Sequence, residues 1–362
     1  MEEREAYLMW SMCYGIGPSR IMQLKGKFGS LSEAWNQFGK ENQKLKWNEN
    51  LVDKVLSFRK NFVIKNYLNK LKSEDIDYLA WCDDEYPEKL KKISHAPSVL
   101  YYRKGKDNWL DLWKMPWLGV VGTRKITAYG VGVTKMLVEG VVNQGVGIVS
   151  GLMYGVDEIG HRACIDVGGT TIGVWAGGLD TLNVGGRSAL ARAVYDSGGA
   201  LVSPYRVGFL PSAATFPARN EWVAGLCDAL LVVEGSDKSG TLITAGFAAE
   251  LDRPVLVVPG PITSSQSAAP ITLLKAGAIP VSSVEDVLAC LPIKAISIKK
   301  KNKLQLGADE EKILEILGQG QMSGDEIARK LNMKMASLME LLTILELSGV
   351  LVRSGENWVV RI

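Results

Sequence analysis

Only two histidines, His95 and His161, occur in 362 residues, which argues against histidine-rich metal chemistry. The five cysteines (Cys13, Cys82, Cys164, Cys227, Cys290) are dispersed, odd in number and without a Cys-x-x-Cys pair. That pattern speaks against a disulfide framework and a cysteine zinc site, and buried free thiols are expected. No apolar run approaches the ~18 residues of a membrane-spanning helix. The opening Met-Glu-Glu-Arg-Glu does not read as a signal peptide, so a cytoplasmic protein is expected. Strong charge is also missing. The net charge is +3, and the excess is local: residues 294–307 carry five Lys and no acid, whereas residues 308–362 carry six basic against nine acidic residues. Any basic site must therefore come from local placement.

Familiar catalytic signatures are absent too. Gly235 and Gly240 have P-loop separation, but Thr241-Leu242 stands where Lys-Ser/Thr is required. The first strand ends in Gly122-Thr-Arg-Lys-Ile-Thr127, not Gly-x-Gly-x-x-Gly, and no nucleophile elbow can be written around Ser150 or Ser239. His161 lies near Asp157 and Glu158 without an evident nucleophile and reads as a local packing or capping residue. Asp157, Asp180 and Glu234 sit near strand ends, as candidate bases or as counter-ions for Arg124 or Arg219.

With 47% hydrophobic and 22% charged residues, the chain has material for a sizeable core, and its length suggests two or three domains. Ala229-Leu-Leu-Val-Val233 reads as a strand buried on both faces. Glu234 to Lys238 then make a polar turn, and Ser239-Gly-Thr241 opens a segment with helical spacing. Such a strand–turn–helix leaves free amides and the positive helix end facing outward, which suits an anion. Related mouths follow Leu118–Lys125, Gly147–Gly151 and Ile172–Gly178.

Residues 117–291 alternate strands (117–121, 146–150, 171–176, 200–203, 229–233, 255–258, 279–281) with helices (126–143, 156–167, 187–197, 219–226, 241–251, 283–291). This predicts an α/β fold, a doubly wound parallel sheet. Residues 1–72 predict a helical domain, with helices over 3–13 and 19–28 and one basic helix over 54–72. The intervening Gly15-Ile-Gly-Pro18 suits a helix-hairpin-helix turn, an ordinary turn being the alternative. Val99–Tyr102 predicts an extra strand. Residues 294–307 read as a basic linker. Residues 308–362 read as a winged-helix-like module, with helices 309–317, 323–331 and 335–347 and strands 350–353 and 357–360. Its would-be recognition helix, Ala336–Glu346, has two acids and no base, so it reads as a partner or dimer surface, with DNA contact the alternative.

The candidate site collects cations and amide donors at loop mouths. These are Gly122, Thr123, Arg124 and Lys125; Ser150 and Gly151; Arg187; Arg219 and Asn220; and Lys238, Ser239, Gly240 and Thr241. Salt bridges with nearby acids are the alternative for several of them.

The chain resembles the bacterial DNA-processing protein A (DprA/Smf) family. The matching passages are Val121-Gly-Thr-Arg-Lys125, Ser150-Gly-Leu152 with Gly155-Val-Asp157 and His161, and Gly178-Leu-Asp180. They continue with Phe216-Pro-Ala-Arg-Asn220, Val232-Val-Glu234, Ser239-Gly-Thr-Leu-Ile-Thr-Ala245 and Val258-Pro-Gly260, in order across residues 80–290. It departs from the family pattern at Met153-Tyr154, Asn183–Arg187 and Ala269-Pro-Ile271. The resemblance implies an extended Rossmann-like domain that forms a homodimer, binds single-stranded DNA in a basic pocket and helps load a RecA-type recombinase in transformation or repair. It implies no catalytic reaction, cofactor or metal. The carried-over pocket is Arg124, Lys125, Arg219, Asn220 and Lys238 to Thr241, and SAM/helix-hairpin-helix-like and winged-helix domains flank it (1–72; 73–293; 294–307; 308–362). The competing reading is a Rossmann-like sensor or enzyme acting on nucleoside monophosphates. It is disfavoured because Thr244 stands where such enzymes need a Glu after the Gly-Thr helix start.

Overall fold

A computed structural model describes residues 1–39, 45–105, 109–183, 186–237, 239–293, 307–318, 320–347, 350–355 and 357–360. Two compact units result, Met1–Ile293 and Lys294–Ile362.

The first unit opens with five helices: α1 (Glu3–Met12), α2 (Pro18–Phe28), α3 (Leu31–Gln37), α4 (Glu49–Asn61) and α5 (Ile64–Ser73). Glu3 ties this bundle together, its carboxylate accepting the Leu31 and Ser32 N–H groups at 2.9 and 3.0 Å at the start of α3. The single basic helix expected over 54–72 is two helices. Asn48 caps α4 through the Leu51 N–H, and Phe62 and Val63 take extended backbone before α5. An apolar stripe continues through the break, so the sequence pattern hides it.

The strands and helices that follow are β1 (Asp77–Ala80), β2 (Val99–Lys104), β3 (Trp117–Val121), α6 (Ala128–Val142), β4 (Gly147–Gly151), α7 (Val156–Asp166), β5 (Thr171–Val174) and α8 (Ser188–Asp196). After them come β6 (Ala200–Ser203), α9 (Thr215–Leu226), β7 (Ala229–Val232), α10 (Gly240–Glu250), β8 (Val255–Val257), α11 (Ala268–Lys275), β9 (Ile279–Pro280) and α12 (Val284–Leu288). Their order in the sheet is β1-β2-β6-β5-β4-β3-β7-β8-β9. Strands β3 to β9 run parallel, and β2 and β1 extend the β6 edge antiparallel. The sheet is therefore the expected Rossmann-like one with an antiparallel extension. From β3 the chain goes first to β4 on one side and later to β7 on the other. The β3/β7 boundary is thus the topological switch point, where a crevice opens beyond the strand ends.

Alternation along the strands feeds two cores. Leu118, Val120, Ile148, Leu231 and Leu256 pack with Leu137, Val138 and Val156 on one face. Val121, Val149, Leu230, Val232 and Val257 pack with Trp222, Val223 and Ala245 on the other. The N-terminal helices share a further core with Tyr78, Val99, Tyr101, Trp175 and Leu201. Helix α9 starts at Thr215, one turn before the expected 219, because Pro217 fits the first turn of a helix, where its missing N–H is not needed. Strand β1 and helix α11 were not expected from the sequence.

The second unit contains α13 (Ala308–Leu317), β10 (Met322–Ser323), α14 (Gly324–Leu331), α15 (Met335–Leu347), β11 (Leu351–Ser354) and β12 (Asn357–Val360). It is a winged helix with its own core of Ile313, Ile327, Leu338, Leu342, Leu345 and Trp358. Outward on α15 stand Ser337, Glu340, Thr343, Ile344 and Glu346, with no base. Of the expected basic linker 294–307, residues 294–306 lie outside the described residues. Among the described residues, no helix is long and apolar enough to cross a membrane, and no group of three or more His, Cys, Asp and Glu is placed to hold a metal.

Candidate nucleic-acid interface

A cavity of about 710 Å³ opens at the switch point, beyond the ends of β3, β4 and β7. Each wall is a strand end or the helix that follows it. Gly122, Thr123 and Arg124 come from the loop after β3, Gly151 from the end of β4, and Ser239, Gly240 and Thr241 from the start of α10. Phe216, Arg219 and Asn220 come from α9, where spacings of three and four residues put them on one helix face.

The four anion mouths expected from the sequence are not equally open. Glu234 fills the mouth before α6: its carboxylate accepts the Thr127 hydroxyl at 2.6 Å and the Thr127 N–H at 2.9 Å. Asp180, after β5, accepts the Gly208 N–H at 2.9 and 3.0 Å. Asp157 and Glu158 occupy the first turn of α7. Helix α10 has no acid in its first turn, and Ser239 caps it through the Thr241 N–H at 3.1 Å. Of the four expected mouths, the one left open to a foreign anion among the described residues is therefore that of α10.

Two guanidiniums face this end. Arg124 is exposed, its Cζ 6.0 Å from the Phe216 ring centroid. Arg219 is 4% exposed, donates to the Val174 carbonyl at 3.2 Å, and lies 4.0 Å from the Asp157 carboxylate. Its buried Nε has no partner. Burial pulls the Arg219 pKa down and pushes the Asp157 carboxyl up to about 6, against the opposing pull of Arg219. Asp157 is thus an incomplete counter-ion, and a buried cation with an unused donor lines the cavity. Gly151 makes room for it, since a Cβ there would lie 1.4 Å from Nη1. His161 holds Gly151 from below: fully buried, its Nε2–H donates to the Gly151 carbonyl at 2.9 Å while Nδ1 lies 2.7 Å from the Thr171 hydroxyl. Burial pushes its pKa down to about 4, so the ring is neutral. Gly155 shapes the rim. Its φ is +79°, and a side chain there would meet the Thr123 carbonyl at 2.2 Å.

The remaining sequence candidates differ in placement. Lys125 is exposed on the Arg124 loop but outside the cavity lining. Ser150 is buried and donates to the Val120 carbonyl at 2.5 Å, joining β4 to β3. Arg187 is 6% exposed, pairs with Glu158 at 3.1 Å and stacks over Tyr154 with Cζ 3.2 Å from the ring centroid. Lys238 lies outside the described residues, as do Val184 and Gly185. Asn220 approaches the Gly240 carbonyl at 3.4 Å. Phe216 was not among the candidate contact residues, although it lines the cavity; Asp157, expected as a base or a counter-ion, lines it beside Arg219. The spacing Phe216–Arg219–Asn220 was the available signal for Phe216.

The family described as "DNA recombination-mediator protein A" matches residues 77–292, and the "DprA winged helix domain" matches residues 299–357. The Smf protein of Synechocystis is 32% identical over 290 residues, 80% of this chain and 73% of that protein. The Smf protein of Escherichia coli is 37% identical over 203 residues, 56% of this chain and 53% of that protein. The X-ray structure of DNA processing protein A from Streptococcus pneumoniae superposes with a TM-score of 0.70 at 29% identity, covering 81% of this chain and all of that one. The Helicobacter pylori DNA processing protein A, whose structure describes its single-stranded DNA binding mode, superposes at 0.52 with 25% identity over 59% of this chain and 94% of that one. The winged helix agrees with the second family match and the overall fold with the superposition, and the chain belongs to the DNA recombination-mediator protein A family.

Proposed function

We propose that this protein captures single-stranded DNA in the switch-point cavity without making or breaking a covalent bond, and delivers it to a RecA-type recombinase as a cytoplasmic homodimer. The observation that carries the reading is the meeting of Arg124, the partly unpaired Arg219 and the acid-free start of α10 around one cavity. Phosphates are satisfied by such fixed donors, and an aromatic wall at Phe216 suits a base face. Lys238, next before Ser239 in the sequence, belongs to the proposed contact set, as do Gly122, Thr123, Lys125, Gly151, Asn220 and Ser239 to Thr241. Ser150 and Arg187 act on the fold around the site. Residues 73–293 carry strand capture, with residues 1–72 and 308–362 as flanking modules. The family's description and the Helicobacter pylori relative support both the strand and the mediator role.

The test is fluorescence anisotropy with labelled oligo-dT, using the wild type and Arg124→Glu. The charge reversal should weaken binding to every sequence alike and leave the thermal midpoint unchanged. Unaltered oligo-dT affinity in the variant sinks the proposal. Recombinase delivery is read separately, as faster onset of strand-dependent ATP hydrolysis by RecA, and dimerisation by light scattering.

A further inference from the structure

A second concavity, of about 630 Å³, lies where the N-terminal helices meet the loop after β6. Tyr14, Lys54, Phe58, Phe62, Lys70 and Arg206 line it, and no Asp or Glu does. Tyr14 is 73% exposed. Lys54 stands over its ring with Nζ 4.8 Å from the centroid. Phe58 and Phe62, one helical turn apart, stack at 4.7 Å with 22° between ring planes. Lys54 and Lys70 are both exposed, with no carboxylate partner among the described residues. Asp180 lies near Tyr67 at the edge of this region, but both its carboxylate oxygens accept the Gly208 N–H. Arg206 is anchored by the Met12 carbonyl at 3.2 Å, which fixes its charge beside the aromatic rings.

We infer that this groove is a second single-strand contact, which takes up the strand as it leaves the switch-point cavity. Interleaved aromatic faces and cations without acids are what a single strand needs: stacking for bases and charge for phosphates. A duplex keeps its base faces stacked inside and gains nothing from the rings. The route between the sites is one loop. Arg206 begins it, Leu210 projects from its middle 62% exposed, and Ala213 at its other end, with Phe216 just beyond it at the start of α9, lines the first cavity. The choice of strand rests on the binding proposed for that first cavity.

The full chain is tested with two labelled oligo-dT strands, one of about six nucleotides, which fits a single site, and one of about 24. Lys54→Glu/Lys70→Glu should leave the short strand unaffected, weaken the long one by about tenfold, and lower its salt slope by about 1.4, the loss of two phosphates. Arg124→Glu should weaken both strands. If the double variant binds the long strand with wild-type affinity and slope while Arg124→Glu fails, the groove is overturned and the cavity stands. If only the double variant fails, the cavity reading is overturned and the groove stands. No binding of either strand by the wild type overturns both. As a second readout, 5-iodouracil in the long strand should photo-crosslink to Tyr14, and the crosslink should vanish in Tyr14→Ala. Crosslinks confined to Phe216 overturn the groove.

Discussion

Gly151→Ala tests the role of Arg219 without touching a charge. The new Cβ would lie 1.4 Å from Nη1, 2.2 Å from Cζ and 2.5 Å from Nη2 of Arg219. Ordinary contact begins near 3.4 Å, so the guanidinium must retreat by about 2 Å. It then forfeits the Val174 carbonyl and moves off Asp157. Losing a hydrogen bond to a charged group costs about 1.5–3 kcal/mol, and the same loss toward a phosphate weakens binding roughly ten- to hundredfold. The salt slope should fall by about 0.7, one phosphate's share on a single strand. Because both changes act through one guanidinium, Gly151→Ala/Arg219→Ala should bind no worse than Arg219→Ala alone. Anisotropy on oligo-dT with parallel thermal melts decides it. A folded Gly151→Ala protein that binds within about twofold of wild type, with an unchanged slope, refutes the assignment of Arg219.

Acid exposes two buried groups of opposite sign. The carboxyl of Asp157, pushed up to about 6 from 3.8, destabilises the fold above pH 6, and that strain is relieved as pH falls toward 3.8. The imidazole of His161, pushed down to about 4 from 6.5, contributes stability that is full above pH 6.5 and lost as pH falls to 4. Each amounts to about 3 kcal/mol, so urea midpoints of the wild type should change little from these groups between pH 6.5 and 4. Asp157→Asn should leave only the His161 loss and so weaken steadily with acid; a flat profile for this variant contradicts the pairing. Protonating Asp157 also frees Arg219, so oligo-dT affinity should rise from pH 7.5 to 5.5 in the wild type and not in Asp157→Asn. Phe216→Ala should lower oligo-dT affinity by about 1–3 kcal/mol, the worth of one stacked base, whereas an abasic phosphate–sugar strand should bind both proteins alike. A chain ending at Gly307 should keep the wild-type salt slope, because α15 turns Glu340 and Glu346 outward; a fall in slope would place DNA on the winged helix.

Strands β3 to β7 were legible because burial on both faces requires unbroken apolar runs such as Ala229–Val233, and these have few rivals. Two short elements without that requirement were not. Strand β1 is four residues beginning with an exposed Asp77, and α11 hides behind Ala-Ala-Pro at its first turn. The Phe62–Val63 break between α4 and α5 has neither glycine nor proline to announce it. At the site, Arg124, Gly151 and Ser239 to Thr241 were legible because strand ends in a doubly wound sheet converge on one rim. Arg187 was not, because its partner Glu158 lies 29 residues away in sequence and the pairing is a tertiary event. Glu234 likewise turns out to serve Thr127, which no spacing rule connects to it.

The most direct test of polyanion capture is the salt dependence of oligo-dT affinity for the wild-type chain. Three cations, Arg124, Arg219 and Lys238, each neutralising one phosphate, predict a logarithmic slope of about −2 on the short strand, with weaker binding of duplex at every salt concentration. A slope near zero, or equal affinity for duplex, would contradict the account.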